Sequence, residues 1–414
     1  MRFIHTADIH LGKTYRRSAA ETERYADFFR CLDSIIADAL AERVDFVLIA
    51  GDLFHTGQIL PRTFAGTIEC LLPLKEAGIP CIVVEGNHDW IHRRDSISWM
   101  EALSAMGYVK LLRPDRSDEG GYRFSSFDEE TGQGGMCRVG DLHIYGLGYI
   151  GSQAGSHVPR ICEAVTTEKN LLLFHVGIWK YSPVEIGNMG LQEAYPLAEV
   201  FDYVALGHGH KPYAVETPEG KKFAFNPGAP ERVNFGEERY DKGYYLVQEK
   251  GGVFEAEFRP TDPRPMMTLT VSLNGADTVE EALQVLKQSV LSEWKGTLDG
   301  RRPLLEMRLT GRVGFHPFEI GRERLKLLLE ELLDPLHLEV KNHLSLVTPG
   351  FGDDRVRKSL ADIEREVLNQ LVGNGNEYRG REEELVALAL AMRDLVHREA
   401  VDEEDLLSLL DGEI

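Results

Sequence analysis

Five short stretches in the first half of the chain end in residues that bind divalent metal ions. They are Asp8-Ile9-His10, Gly51-Asp52-Leu53-Phe54-His55, Gly86-Asn87-His88-Asp89, the single His175, and Gly207-His208-Gly209-His210. Taken one at a time, an Asp-x-His or a Gly-Asp pair is as readily turn chemistry. As an ordered set they offer two aspartate-type oxygens, one amide oxygen and four imidazoles, enough for two ions that share a carboxylate. Such a pair of ions clamps both the attacking and the leaving oxygen of a phosphoryl centre. A mixed imidazole and carboxylate shell suits manganese, iron or zinc better than magnesium or calcium.

Each stretch follows an apolar run that reads as a strand: Phe3 to Thr6, Val44 to Ala50, Cys81 to Glu85, Leu171 to Phe174, and Tyr203 to Leu206. Continuous apolar runs alternating with helical patterns indicate an α/β sheet buried on both faces, whose ligand crevice lies beyond the carboxyl ends of its strands. All five stretches are therefore expected to open onto one crevice. Between the first two runs, Phe28, Leu32, Ile35, Ile36 and Leu40 recur at helical spacing and predict an amphipathic helix.

With 414 residues, two to three domains are expected. The start of the chain lacks a basic segment followed by an apolar stretch and a cleavage site, and no apolar run approaches the ~18 residues needed to cross a membrane. The expectation is a soluble, cytoplasmic protein. Cys31, Cys70, Cys81, Cys137 and Cys162 never form a C-x-x-C pair, which predicts reduced, mostly buried thiols and neither a disulfide framework nor a zinc knuckle.

The formal charge of −21 opposes nucleic-acid binding, which normally needs a basic face. Placement tempers this. Lys13, Arg16 and Arg17 follow the first stretch, Arg62 the second, and Arg93 and Arg94 the third, so these six cations are candidates for a local phosphate-binding rim. The plainer alternative is that they are ordinary solvated charges.

The order D-x-H, G-D-x-x-[DH], G-N-H-D, H, G-H-x-H resembles the calcineurin-like metallophosphoesterases. Within them, Asp8-Ile9-His10-Leu11-Gly12, Gly51 to His55, Asn226-Pro227-Gly228 and Phe235-Gly236-Glu237 resemble the SbcD-type nucleases of DNA double-strand-break repair, with a further likeness to the YhaO-type subgroup. The resemblance covers residues 1 to 260 closely. It implies a four-layer αββα sandwich, two divalent ions with Mn²⁺ expected, and hydrolysis of DNA: 3′ to 5′ exonuclease action on duplex ends and endonuclease action on single strands. It also implies that Asp8, His10, Asp52 and His210 hold one ion, that Asp52, Asn87, His175 and His208 hold the other, and that Asp52 bridges them. His88 is then a catalytic residue outside the ligand set, oriented by Asp89. His55 stands where the wider superfamily has aspartate, and by resemblance is a second catalytic histidine.

Three domains are expected: a phosphoesterase domain over 1–260, a small α+β capping domain over 266–350, and a helical segment over 354–414. The punctuation is Arg259 to Pro265, where three prolines fall in six positions after the run Phe254 to Phe258. Beyond it, Met267 to Leu273 reads as a strand, Thr278 and Glu281 as a capping box opening a helix, Leu304 to Leu309 as a strand, Arg322 to Leu333 as a helix, and Leu336 to Val347 as one or two strands. Val356 to Val372 and Glu382 to Leu410 read as amphipathic helices. From Arg355 to Ile414 there are eight Lys or Arg against fifteen Asp or Glu, a net of −7. Such a segment suits docking on a partner or packing on its own chain better than DNA.

By resemblance, the cap positions duplex DNA, the partner is an SMC-like ATPase of SbcC or YhaN type, and the protein is a homodimer. The helix Asp95 to Met106, with Asp95 as its cap, is a candidate dimer face. Two other readings stay open: a small-molecule phosphodiesterase or phosphatase on the same site, and a chain whose main task is assembly with the ATPase. His5, His143 and His157 are expected to be structural, and Trp90 and Trp179 to pack around the crevice rather than to stack on an unpaired base.

Overall fold

The structure, a computed structural model, describes residues 1–14, 21–91, 96–117, 120–182, 186–293, 300–347, 365, 367–368 and 385–391. The chain divides into two compact units, Met1–Val347 and Thr348–Ile414. In the second unit the described residues are helical, and the remainder of the helices expected over Val356 to Val372 and Glu382 to Leu410 lies outside the described residues.

The strands form two six-stranded sheets, as the sandwich implied by the resemblance requires. The first sheet has six strands in the order Val253–Pro260, Gly243–Lys250, β1 (Arg2–Thr6), β2 (Phe46–Ile49), β3 (Cys81–Val83), β4 (Lys110–Leu111), and its last four run parallel. The second has the order Tyr213–Glu216, Lys222–Asn226, Tyr203–Leu206, Asn170–Phe174, Leu142–Leu147, Met136–Val139. Alternation along each strand explains how they stack. Phe3, Phe46, Leu48 and Ile82 point toward the second sheet and meet Ile144, Leu171, Leu173, Tyr203 and Phe225. Ile4, Val47 and Ile49 point the other way, onto α1 (Glu21–Ala41), α2 (Pro61–Glu76) and α3 (Trp99–Ala105). The outer face of the second sheet is covered by helices that include Ala154–Glu163 and Leu197–Val200. The result is the four-layer αββα sandwich, with every layer boundary apolar.

The helix predicted from Phe28, Leu32, Ile35 and Ile36 is α1, which buries all four. By contrast α3 starts at Trp99, capped by Ser98 in a reciprocal box with Glu101; Asp95 lies outside the described residues, and Ile97 precedes the helix. The strand expected to end at Phe258 pairs on to Pro260. Residues 266–346 add a parallel three-stranded sheet, Met266–Ser272, Leu304–Val313 and His337–Leu346, whose core is closed by the helices Val279–Glu293 and Arg322–Leu333. Half of the expected capping box forms there: Thr278 accepts from Glu281 N at 3.3 Å, but the Glu281 carboxylate accepts from Asp277 N, one residue earlier than expected. All five cysteines are free thiols, four of them buried. Among the described residues, no helix is long and apolar enough to cross a membrane.

This small sheet is tied to the sandwich through buried charge. Arg264, in the connecting segment, grips the Asp27 carboxylate of α1 with two nitrogens at 2.6 and 3.0 Å, while Arg24 reaches Asp27 at 3.2 Å and Glu231 at 3.1 Å.

Candidate metal centre

Three of the five stretches leave the first sheet and two leave the second, and the carboxyl ends of both converge. The loops after β1 and β2 run side by side: Asp8 N donates to Gly51 O, His10 N to Asp52 O, and His55 N to Leu11 O, at 3.0–3.1 Å. Two contacts pull the second sheet onto them: His208 N donates to Asp8 Oδ1 at 3.1 Å, and His175 Nδ1 to Ala50 O at 2.6 Å.

Sharp turns at the strand ends have a conformational cost. Asp8, His10, Asp52 and His208 all hold positive φ, between 51° and 76°. That region is uncommon for residues with a side chain, and such strain collects at functional sites. The glycines are required by close approach. A Cβ on Gly51 would overlap the His175 ring, one on Gly86 the Asp52 carboxylate, and one on Gly207 the Ala50 carbonyl.

The side chains form two clusters that share Asp52. In the first, His10 Nε2 lies 3.1 Å from His210 Nε2 and 3.8 Å from Asp52 Oδ2, and Asp8 is within ligand reach of both histidines. In the second, Asn87 Oδ1 lies 3.2 Å from His175 Nε2 and 3.0 Å from His208 Nδ1, and His175 Nε2 is 3.6 Å from Asp52 Oδ2. Asp8, His10, Asp52, His175 and His208 are buried, while Asn87 and His210 are partly buried.

Each outer ring nitrogen is occupied. His175 Nδ1 faces Ala50 O, His208 Nε2 faces Ile186 O at 2.6 Å, and His210 Nδ1 faces Glu237 Oε1 at 2.8 Å. These contacts fix the tautomers so that the remaining nitrogen presents a lone pair inward, as in metal-binding histidines generally.

The electrostatics agree with a cation site. Burial lowers His175 to about 3 and His208 to about 4, and takes His10 well below its ordinary value, so all three are neutral near pH 7. Burial, with Asp52 nearby, raises Asp8 to about 7, and burial raises Asp52 as well. Asp8 Oδ2 is buried with no hydrogen-bond partner. Inward lone pairs, an orphaned carboxylate oxygen and two crowded carboxylates together fit divalent ions.

His88 stands beside the clusters. Its Nδ1 meets His55 O at 2.8 Å, its backbone N donates to Asp52 Oδ1 at 2.8 Å, and its ring stacks on His55 at 5.3 Å and 15°. The expected role of Asp89 requires correction. Its carboxylate accepts from Phe54 N at 2.8 Å, Gly86 N at 2.9 Å and Leu53 N at 3.3 Å, so it ties the second and third loops together, and the His55 carbonyl orients the His88 ring. His55 Nδ1 lies 3.3 Å from His10 Nδ1, and burial and then Lys13 lower its pKa to about 3.

Of the proposed rim, Lys13 is half-buried near His55 and Glu237. Arg62 lines a cavity that it shares with His55, where it pairs with Glu21 at 3.2 Å and stacks 4.5 Å over the Tyr25 ring. Arg16, Arg17, Arg93 and Arg94 lie outside the described residues. His5 is structural: buried, it bonds Tyr203 Oη and Leu206 O, each at 2.9 Å. His157 bonds Tyr122 Oη at 3.0 Å. Trp90 and Trp179, expected to be packed, are 54% and 53% exposed.

Sequence reasoning missed the support behind His210. Glu237 receives His210 and Asn234 on one oxygen, and Val233 N and Lys242 Nζ on the other, the last at 2.6 Å. Burial alone would raise Glu237, but His210 and Lys242 outweigh it and hold it at about 2. Glu237 lay in a recognised motif without an assigned role, and Lys242 carried no signal at all.

Residues 1–212 match the calcineurin-like phosphoesterase family. The protein is also similar to proteins named "DNA double-strand break repair protein Mre11". That of Haloferax volcanii is 27% identical over 293 residues, 70% of this chain and 59% of the relative. That of Archaeoglobus fulgidus is 30% identical over 271 residues, covering 63% and 58%, and that of Halobacterium salinarum 32% over 248 residues, covering 59% and 56%. The chain thus spans under two thirds of the length of these relatives. With more than half of its residues matched and the shared aspartate set between two clusters at the strand ends, the chain belongs to the calcineurin-like phosphoesterase family.

Proposed function

We propose that the protein is a metal-dependent DNA nuclease that hydrolyses phosphodiester bonds with two Mn²⁺-like ions. The observation that carries this reading is Asp52, whose Oδ2 faces His10 Nε2 at 3.8 Å and His175 Nε2 at 3.6 Å, one in each cluster. Asp8, His10, Asp52 and His210 would hold one ion, and Asp52, Asn87, His175 and His208 the other. Two ions so held supply Lewis-acid charge to both the attacking and the leaving oxygen of a phosphoryl centre.

The chain's own groups do the rest. With Nδ1–H donating to the His55 carbonyl, His88 keeps Nε2 for the substrate, where the protonated ring, an imidazolium, would deliver its Nε2 proton to a leaving oxygen or steady the developing anion. His55, stacked on it, holds that ring in place and is a second candidate catalytic group. Asp89 locks the loops that carry Asp52 and His88.

DNA as substrate is supported by the relatives, whose printed names are those of double-strand-break repair proteins. In the same reading the module over 266–350 caps the crevice and positions duplex DNA, the acidic segment over 354–414 docks on an SMC-like ATPase of SbcC or YhaN type, and the protein works as a cytoplasmic homodimer. A small-molecule phosphodiesterase is the second reading; the −21 charge and the engagement of Arg62 favour it.

The test is Mn²⁺-dependent cleavage of end-labelled duplex and single-stranded DNA beside a chromogenic phosphodiester. His88→Ala is expected to lose about 10²- to 10⁴-fold in DNA cleavage at unchanged metal content. Intact DNA together with hydrolysis of the small ester would transfer the assignment to the second reading.

A further inference from the structure

Trp90 follows the third stretch and stays more than half exposed, although large aromatics are on average highly buried. It is not isolated. Its ring meets Tyr149 edge-on, with centroids 5.8 Å apart at 62°, and Tyr149 lies 5.5 Å from the His208 ring and 6.1 Å from the His175 ring. Tyr149 N donates to Glu85 O at 2.9 Å, which fixes the loop after Leu142–Leu147 against the one that carries Trp90. An aromatic wall therefore runs outward from the second cluster of the metal centre.

A cavity of about 310 Å³ opens along this wall, lined among others by Trp90, Tyr149, Tyr122, Arg113 and Arg116. The two arginines differ. Arg113 is held by Glu85 at 2.6 Å and Glu101 at 2.8 Å. Arg116 is exposed, and its positive charge bears on the Tyr122 phenol. An exposed indole face, a phenol at its edge and a cation at the rim match a ring joined to a phosphate: bases stack on aromatic side chains, and cations track the backbone.

We propose that this cavity is a subsite for one unpaired nucleobase of the substrate strand, stacked on Trp90 with its phosphate toward Arg116. The proposal rests on the reading that the substrate is nucleic acid. The base is unpaired because inside a duplex both of its faces are already stacked, and a base drawn out of the stack gives up its pairing partner as it offers a face to the indole. Stacking of this kind tolerates any sequence.

The experiment uses the full chain with single-stranded oligodeoxyadenylate. Binding is read by anisotropy in chelator, and turnover with Mn²⁺ is compared with that of a chromogenic phosphodiester lacking a base. Trp90→Ala should weaken oligonucleotide binding about 5- to 140-fold, the equivalent of ~1–3 kcal/mol per stacked base. It should lower the ratio of kcat/KM on DNA to that on the small ester by a similar factor. Trp90→Phe should restore most of both, and Arg116→Ala should weaken binding and flatten its salt dependence. Oligonucleotide binding by Trp90→Ala within twofold of wild type overturns the subsite, whether or not DNA is cleaved. Loss of binding in Trp90→Ala, with a wild type that binds DNA but never cleaves it, overturns the nuclease reading and upholds the subsite. A wild type that binds no oligonucleotide overturns the subsite as well.

Discussion

Replacing Glu237 by glutamine isolates what the buried support behind His210 contributes. The two carboxylate oxygens face only donors, His210 Nδ1 and Asn234 Nδ2 on one side and Lys242 Nζ and Val233 N on the other. Glutamine keeps the volume but turns one oxygen into an NH₂ group, so whichever way the amide is turned, one pair of donors meets another donor. With the NH₂ toward Lys242, a fully buried ammonium loses its counterion and keeps the His210 carbonyl at 3.1 Å and the Tyr240 ring at 5.9 Å. Breaking a buried pair costs about 3–5 kcal/mol, and the remaining acceptor argues for ~3. At about 2–4 °C per kcal/mol in mid-sized domains, a drop of about 6–12 °C in the Tm of the metal-free protein is expected. With the NH₂ toward His210, the ring loses the acceptor that sets its tautomer, and such partners are worth about 10- to 100-fold in metal affinity. Calorimetric titration with Mn²⁺ reads the affinity, and thermal unfolding in chelator reads the stability. Adding Lys242→Met removes the stranded charge and should recover the stability lost in the first orientation. An unchanged Tm together with affinity within twofold of wild type in Glu237→Gln would refute this account, since one pair of donors faces the amide NH₂ in either orientation.

Two further substitutions probe other parts of the construction. Gly86→Ala places a methyl group against the Asp52 carboxylate and 2.5 Å from its backbone nitrogen, so metal content measured by atomic absorption should fall from two ions per chain, with the global fold retained; two ions retained at wild-type affinity would mean that Asp52 is not confined as described. Asp27→Asn removes the carboxylate shared by Arg24, Arg30 and Arg264, and should cost about 3–5 kcal/mol in urea unfolding because two of these guanidiniums are buried. A shift no larger than the ~0.5 kcal/mol of an ordinary surface change would contradict that role.

The residues that cluster at the strand ends were legible in the sequence because each ends an apolar run or sits in a glycine-bounded turn. The glycines beside Asp52, Asn87 and His208 mark places where backbone and ring approach too closely for a Cβ. Asp89 departs from the role the resemblance implies, that of orienting His88. A side chain in a turn can as easily reach across to backbone N–H groups of another loop, and only the folded position of Leu53 and Phe54 made those groups available. The cap of α3 moved to Ser98 for a comparable reason: its reciprocal pair with Glu101 satisfies two backbone donors.

By itself the sequence determined which residues gather at the strand ends, since the side-chain period of a strand and the apolar runs dictate where each strand stops and which faces are buried. Tertiary structure alone decided that Glu237 and Lys242 stand behind His210, that Arg264 closes on Asp27, and that Trp90 remains open to solvent beside the candidate metal centre. Those outcomes depend on contacts between segments that are distant in the chain. Their energies come from burial and from pairing of charges, and neither is a property of any single segment.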